Sequence, residues 1–256
     1  MLDPALREAI KELVRTEQLL VAMDFDGTMS PLVPRAEDAR ALPENAAAFA
    51  ALAALPHTST ALISGRALAS LRLAAAPPVN TFLIGSHGAE SWFGPGAPAL
   101  QLTPEQRELL STLNQLFEQV AAEHPGVTVE YKPAGVVLHT RQSNDEAARS
   151  AVAAAQRALQ VHPVEAHEGK RVLEVSVLKV DKGQGLELLR QHSSATGVLF
   201  AGDDTTDENG FLALRATDIG VKVGEGSTAA EFRIDSVEQT AEMLEFLLHQ
   251  RQAALS

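Results

Sequence analysis

The run Leu19-Leu20-Val21-Ala22-Met23 leads without a break into Asp24-Phe25-Asp26-Gly27-Thr28, and this junction constrains the chain more than any other stretch. Five successive apolar residues read as a buried strand. At the carboxyl end of a parallel strand, side chains face the ligand crevice of an open α/β sheet. Two carboxylates two residues apart at that point can serve as a nucleophile and as a handler of protons. Gly27 permits a sharp exit turn, and the Thr28 hydroxyl can hydrogen-bond a ligand oxygen. A calcium loop beginning at Asp24 would need Gly at its sixth position and Glu at its twelfth. Those positions hold Met29 and Arg35, so the calcium reading fails.

The surrounding pattern alternates strand and helix. An amphipathic helix is predicted over about 3–17, from Leu6, Ile10, Leu13 and Val14 at helical spacing. Pro31 and Pro34 bar a regular helix directly after the acidic motif. Pro43-Glu44 reads as a helix first turn, opening an Ala-rich helix to about 55. A second strand is predicted at about 58–64, a helix from about 66, and a third apolar run at Phe82-Leu83-Ile84-Gly85, which ends in Ser86-His87-Gly88-Ala89-Glu90. Such alternation implies a parallel sheet.

After the loop Gly94-Pro95-Gly96-Ala97-Pro98 the pattern changes. Thr103 followed by Gln106 is a capping box for a helix to about Glu123. Strands are predicted at Val127–Lys132 and Val136–Arg141, a helix at about 144–160, and further strands at about 163–168 and 171–177. The expected architecture is therefore an α/β, Rossmann-like parallel-sheet core made of residues 1–100 and 181–256, with an α+β cap at 101–180 inserted into it.

Composition excludes several classes. Apolar residues make up 45% and charged residues 21%, so a sizeable core can form. With no cysteine, neither disulfides nor thiolate metal sites arise. The first residues carry acids and lack a basic flank before a long apolar run, which argues against a signal peptide. The apolar runs fall short of the ~20 residues that span a bilayer. A net charge of −12 and a pI of about 5.1 argue against a nucleic-acid partner. A cytoplasmic, monomeric enzyme with no nucleic-acid or membrane partner is expected. A phosphorylated small substrate stays compatible with the acidic mean charge, because local cations and helix N-termini act at short range.

Three further motifs follow Asp24-Phe25-Asp26-Gly27-Thr28 in order. Thr60-Ala61-Leu62-Ile63-Ser64-Gly65-Arg66 ends a second strand in Ser64. Asp181-Lys182-Gly183 places a lysine at a helix start, where a cation is electrostatically disfavoured unless it has other work. Val198-Leu199-Phe200-Ala201-Gly202-Asp203-Asp204-Thr205-Thr206-Asp207-Glu208 ends a further strand in acids. Taken singly, Ser64 reads equally as a helix N-cap. Arg66 reads as either a salt-bridge residue or a phosphate or sugar contact. His87 reads as either a core histidine or a pocket residue.

The four motifs in this order resemble those of haloacid-dehalogenase-like (HAD) phosphotransferases. Together with Ser64-Gly65-Arg66, Gly85-Ser86-His87-Gly88-Ala89-Glu90 and Gly202-Asp203-Asp204-Thr205-Thr206-Asp207-Glu208, they are similar to those of trehalose-6-phosphate phosphatases, and the similarity runs from about residue 15 to 240. The resemblance extends to Glu130-Tyr131-Lys132, His139-Thr140-Arg141, Gly169-Lys170 and Leu173-Glu174-Val175. One departure is Ser176-Val177, where that family commonly has Arg-Pro.

The resemblance implies Mg²⁺-dependent hydrolysis of trehalose 6-phosphate through an aspartyl-phosphate. Asp24 is then the nucleophile and Asp26 the acid/base, with Ser64 and Lys182 completing the catalytic set. Mg²⁺ is held by Asp24, the backbone carbonyl of Asp26, and Asp203. Asp204 and Asp207 lie further out, orienting waters and Lys182. Thr28, Arg66, His87, Glu130, Lys132, His139, Arg141, Glu168 and Lys170 are the expected substrate contacts. Strand alternation puts Glu130 and Lys132 on one face, and His139 and Arg141 likewise. A surface ion pair is the bland account of Glu130 and Lys132. Rival readings are a phosphatase of sucrose phosphate or of a glycosyl-3-phosphoglycerate, and a phosphomutase. A regulatory module that had lost catalysis would be expected to lack Asp24, Asp26 or Lys182, and none is missing.

Overall fold

In the computed structural model, which describes residues 1–94, 101–164, 166–169 and 171–256, the chain opens with α1 (Pro4–Leu13) and enters β1 (Leu19–Met23). The Asp3 carboxylate caps α1 by accepting from Ala5 N, and Pro4 sits where its missing N–H costs nothing. The helix ends earlier than its periodicity predicts. Arg251, itself buried, donates hydrogen bonds to the carbonyls of Val14 (2.5 Å), Thr16 (2.7 Å) and His57 (2.6 Å), so carbonyls past the helix end find a partner outside it.

The chain continues through α2 (Pro43–Ala53), β2 (Thr58–Ile63), α3 (Leu68–Ala75), β3 (Phe82–Gly85) and β4 (Glu90–Trp92). Between β1 and α2 the prolines leave room only for a short 3₁₀ turn, Ala36–Asp38. Next come α4 (Pro104–Glu123), β5 (Thr128–Lys132), β6 (Gly135–His139), α5 (Asp145–Leu159), β7 (Ala166–Gly169) and β8 (Val172–Ser176). The remainder is α6 (Lys182–Ser193), β9 (Gly197–Gly202), α7 (Glu208–Leu212), β10 (Ile219–Val223), β11 (Phe232–Ile234) and α8 (Val237–Ala254). The chain divides into two units, Met1–Ala99 with Val180–Ser256, and Leu100–Lys179. The predicted loop at 94–98 falls largely outside the described residues.

The first unit is built on a seven-stranded sheet in the order β11-β10-β9-β1-β2-β3-β4. All neighbours are parallel except β4, which pairs antiparallel with β3 at the edge. Central β1 is buried at all five positions. Leu19, Val21 and Met23 join the core shared with α1, α2 and α8, whereas Leu20 and Ala22 join the one that includes Leu186, Leu189 and Phe211. Each fully buried aliphatic side chain of this kind contributes ~1.5–3 kcal/mol.

The second unit is an antiparallel four-stranded sheet in the order β5-β6-β8-β7, with α4 and α5 on one face. Thr103 and Gln106 form the predicted capping box on α4. Val136, Leu138, Leu173 and Val175 meet Leu113, Phe117, Ala151 and Ala155 in its core.

Arg251 donates to the carbonyls of Val14 and Thr16, which lie beyond the end of α1 and outside the sheet ladders. Each buried acceptor left unmatched costs ~1–3 kcal/mol. Arg251→Ala is therefore expected to destabilise the protein by ~3 kcal/mol or more, lowering Tm by several degrees. Urea and thermal unfolding check this, and a loss under ~1 kcal/mol would show that water replaces the guanidinium there.

Candidate active site

Parallel pairing brings the motif-bearing strand ends together. Met23 is in register with Leu62 on one side and with Ala201 on the other. Asp24, Ser64 and Asp203 follow those residues by one or two positions, so all three leave the sheet at the same edge. The Asp24 N–H still donates to the Ala201 carbonyl (2.8 Å), and the Ser64 N–H to that of Ile84 (2.9 Å). Beyond Asp24 the chain turns tightly, with Met29 N and Ser30 N both donating to the Phe25 carbonyl at 2.9 Å. Gly27 has φ +82°, and a Cβ there would lie 1.9 Å from the Asp203 carboxylate. Glycine at this position lets the two acidic loops approach.

Lys182, the first residue of α6, is only 2% exposed. Its ammonium donates to Asp24 Oδ1 at 2.7 Å and to Asp207 Oδ1 at 2.6 Å. The unfavourable place of a cation at a helix start is thus overruled by two carboxylates. Burial pulls the Lys182 pKa down, but the charges of Asp24 and Asp207 outweigh it and the net direction is upward. Burial likewise drives Asp24 well above the usual carboxylate range; Lys182 opposes that shift, while Asp207 and Asp203 reinforce it. Asp203 is pushed up to about 7, by burial first and then by Asp207, with Lys182 and Lys222 opposing.

Asp24, Asp203 and Asp207 each offer a carboxylate oxygen, and these atoms lie within 4.8 Å of one another. An all-oxygen donor set suits a hard divalent cation. Three carboxylates gathered beside the single Lys182 ammonium leave negative charge to be balanced, so the residues present fit such an ion. Asp207 already has both oxygens engaged, Oδ1 by Lys182 and Oδ2 by Asp204 N at 2.9 Å. Asp24 and Asp203 keep more donor capacity. The Thr28 hydroxyl, in the turn after Asp24, is fully buried and has no hydrogen-bond partner among the described residues.

The remaining predicted residues fall in different places. Asp204 is exposed, and its carboxylate accepts from Thr205 N at 2.7 Å, so it caps the turn and does not face Lys182. Arg66 grips Asp26 with two hydrogen bonds of 2.6 Å. Ser64 Oγ accepts from Arg66 N at 3.1 Å. His87 N donates to the Ser64 carbonyl, and its ring lies where a Cβ on Gly65 would stand. Lys222 is a residue the sequence reading missed. It is buried, and its ammonium donates to the Asp203 carbonyl at 2.6 Å. A lysine inside the apolar strand Ile219-Gly220-Val221-Lys222-Val223 was the signal for it.

Within the second unit, β5 and β6 put Glu130, Lys132 and His139 on the sheet face away from α4 and α5, since Thr128 pairs with His139 and Glu130 with Val137. Glu174 of β8, opposite Val137, joins them. Lys132 pairs with Glu174 (2.6 Å), and His139 Nε2 contacts Glu130 Oε2 (2.7 Å), so Glu130 and Lys132 are not simply each other's ion pair. The His139 hydrogen bond is the main reason that the Glu130 pKa is lowered; burial opposes it and Lys132 assists. Glu168 is placed differently. It pairs with Leu173, whose side chain enters the helix-side core, and it accepts from Gln156 of α5 at 3.0 Å. It therefore shares no face with Glu130. β6 ends at His139, so Arg141 lies in the following turn and alternation does not carry it onto the face of His139. Lys170 lies outside the described residues. Glu174 was legible from the alternation Leu173-Glu174-Val175, polar between two core residues.

A central parallel sheet with the nucleophile-type motif after β1, a buried lysine and acids after β9 defines a haloacid-dehalogenase-like protein. Within that class the chain belongs to the trehalose-phosphatase family, whose model matches residues 22–244. Trehalose-phosphate phosphatase of Mycobacterium leprae is 31% identical over 96% of this chain, which spans 62% of that protein's length. Trehalose-6-phosphate phosphatase of Escherichia coli is 31% identical over 88% of the chain and 84% of its own length. The C-terminal domain of C. albicans trehalose-6-phosphate phosphatase shares the fold, with a TM-score of 0.81 over 96% of both chains at 22% identity. Among the described residues no helix is long and apolar enough to cross a membrane.

The arrangement around Lys182 predicts a pH-dependent defect. Lys182→Met leaves two buried carboxylates without their cation, and breaking such a pair costs ~3–5 kcal/mol. An acid whose folded pKa is raised loses stability as pH climbs from its unfolded pKa of 3.8 through the folded value. The deficit of Lys182→Met should accordingly be large at pH 8 and shrink toward pH 5, as Asp24 takes up a proton. Urea denaturation at the two pH values checks this, and a pH-independent deficit contradicts it.

Proposed function

We infer that this protein hydrolyses trehalose 6-phosphate to trehalose and phosphate, through an aspartyl-phosphate on Asp24 and with Mg²⁺ as cofactor. The observation that carries the reading is the meeting of Asp24, Asp203, Asp207 and Lys182 at one sheet edge, in a chain that belongs to the trehalose-phosphatase family.

In this reading an Asp24 oxygen attacks phosphorus in line while the bond from phosphorus to the sugar oxygen breaks. The electron pair stays on that oxygen, which takes a proton from Asp26. The Asp26 carboxylate then removes a proton from water, whose oxygen attacks the phosphoryl group and restores Asp24. Asp24, the Asp26 carbonyl and Asp203 would hold Mg²⁺, which supplies charge neutralisation between nucleophile and phosphate when bound. Lys182 keeps Asp24 oriented and contributes positive charge where the phosphate gathers negative charge. The unpartnered Thr28 hydroxyl and the Ser64 hydroxyl serve as phosphoryl contacts. Glu130, Lys132, His139 and Glu174 bind the sugar hydroxyls, which suit such bidentate donors and acceptors.

The decisive measurement is phosphate release across trehalose 6-phosphate, sucrose phosphate, a glycosyl-3-phosphoglycerate and glucose phosphates, with Mg²⁺ and after chelation. Trehalose 6-phosphate should be turned over fastest, and chelation should stop the reaction reversibly. Asp24→Asn should lose more than ~10³-fold in kcat and form no acid-stable phosphoenzyme. Full activity in EDTA, or a preference for another sugar phosphate, contradicts the reading.

Substrate choice can be separated from chemistry. Binding energy from the distal glucose, realised in the transition state, raises kcat. Glu130→Ala and Lys132→Ala should each cut turnover of trehalose 6-phosphate by ~10-fold or more, and affect p-nitrophenyl phosphate far less. Equal losses on both esters would instead mark a structural role for the pair.

A further inference from the structure

Arg66 is the most heavily engaged side chain at the site. Its Nε donates to Asp26 Oδ2 and its Nη2 to Asp26 Oδ1, each at 2.6 Å. Its Nη1 donates to the Ala36 carbonyl at 2.8 Å and to Ser70 Oγ at 3.3 Å. The guanidinium also sits over the Phe25 ring, 5.4 Å from its centroid. Four of the five N–H groups of an arginine are thereby occupied within the protein. The side chain is 9% exposed, against 33% for Asp26. Little of Arg66 is left to meet a phosphate or a sugar.

We propose that Arg66 is a positioning residue: it fixes the Asp26 carboxyl group in the plane and direction needed to pass a proton to and from the reacting oxygens. This rests on the reading of Asp26 as acid/base given above. The fork geometry supports it. A bidentate arginine defines the plane of the carboxylate it holds, which a single ammonium cannot do. A carboxylate has about four lone-pair sites, of which the fork uses two, so each oxygen keeps one for a proton. With a third of its surface exposed, an unanchored Asp26 would sample several rotamers.

The main chain of the same residue strengthens the inference. Arg66 N donates to Ser64 Oγ at 3.1 Å, and the Arg66 carbonyl accepts from Ser86 N at 2.8 Å. One residue therefore couples the orientation of Asp26, on the loop after β1, to that of Ser64, at the end of β2. The guanidinium is itself held from the Ala36 turn and from α3, so the fork is part of a rigid frame. A misplacement of about 1 Å in a reacting group can cost ~10²-fold in rate.

The positioning role has a signature that plain structural support lacks. The sugar alkoxide is a poor leaving group and needs a proton as it departs; 4-nitrophenolate leaves without one. Arg66→Gln should lower single-turnover release of trehalose by ~10²-fold and release of 4-nitrophenolate by less than ~10-fold. Water activation still needs Asp26, so the variant should also show a burst of 4-nitrophenolate followed by slow turnover. Arg66→Lys keeps the charge without the fork and should show the same leaving-group dependence with a smaller loss; it decides the matter if Arg66→Gln does not fold. Equal loss across leaving groups, or a rise in KM with kcat unchanged, overturns the proposal and makes Arg66 a substrate contact or a fold support. Asp26→Asn is the control. If it lacks the leaving-group dependence, Asp26 is not the acid, and the role of Arg66 falls with that reading; if only the Arg66 variants lack it, the proposal alone fails.

Discussion

The Lys182 ammonium, enclosed between Asp24 and Asp207, is the contact on which the catalytic edge of this protein depends. It joins the end of β1, the start of α6 and the loop after β9, which are distant in the chain. Without it, the same parallel pairing that places β9 beside β1 would set buried carboxylates against each other. In a medium of low effective dielectric, that repulsion is severe. Even with Lys182 present, burial first and Asp207 next push Asp203 up to about 7, and three carboxylates gather there against the Lys182 ammonium. The pocket is thus built short of positive charge, and a hard divalent ion is the natural complement to its oxygen donors.

Around that contact the sheet acts as a positioning frame. Because β1 lies between β2 and β9, with Met23 level with Leu62 and Ala201, the three loops that follow begin at the same height. Gly27 then lets the first loop approach Asp203 closely. Lys222, one strand further out, anchors the Asp203 carbonyl from beneath. Arg66 anchors Asp26 from the other side. Rigid elements carry the acidic groups, and short polar contacts on either side set their directions.

The second unit illustrates how strand alternation sorts function. Its sheet has one face filled by α4 and α5 and another carrying Glu130, Lys132, His139 and Glu174, linked in two pairs. Hydrogen bonds between these groups restrict their rotamers. Glu168 shows the other outcome. A carboxylate near the same sheet, placed one residue out of phase, turns to the helical face and meets Gln156.

What the sequence determined by itself was the order of elements and the strand ends that bear acids. Five apolar residues before Asp24, and a similar run before Asp203, cannot be exposed, and a buried parallel strand must deliver its next residues to the sheet edge. The capping box at Thr103 and Gln106 was likewise a local fact. Partners were decided only by the tertiary structure. Arg66 could have met a phosphate, a sugar or a carboxylate until the loop after β1 brought Asp26 within 2.6 Å. Asp204 and Asp207 are equivalent on paper, yet the turn buries Asp207 beside Lys182 and spends Asp204 on a cap. Glu168 and Arg141 depended on where β7 pairs and where β6 stops, and a shift of a single residue exchanges the two faces of a sheet. Local pattern carries burial and periodicity; register and charge pairing arise from contacts between residues far apart in the chain, which no local pattern contains.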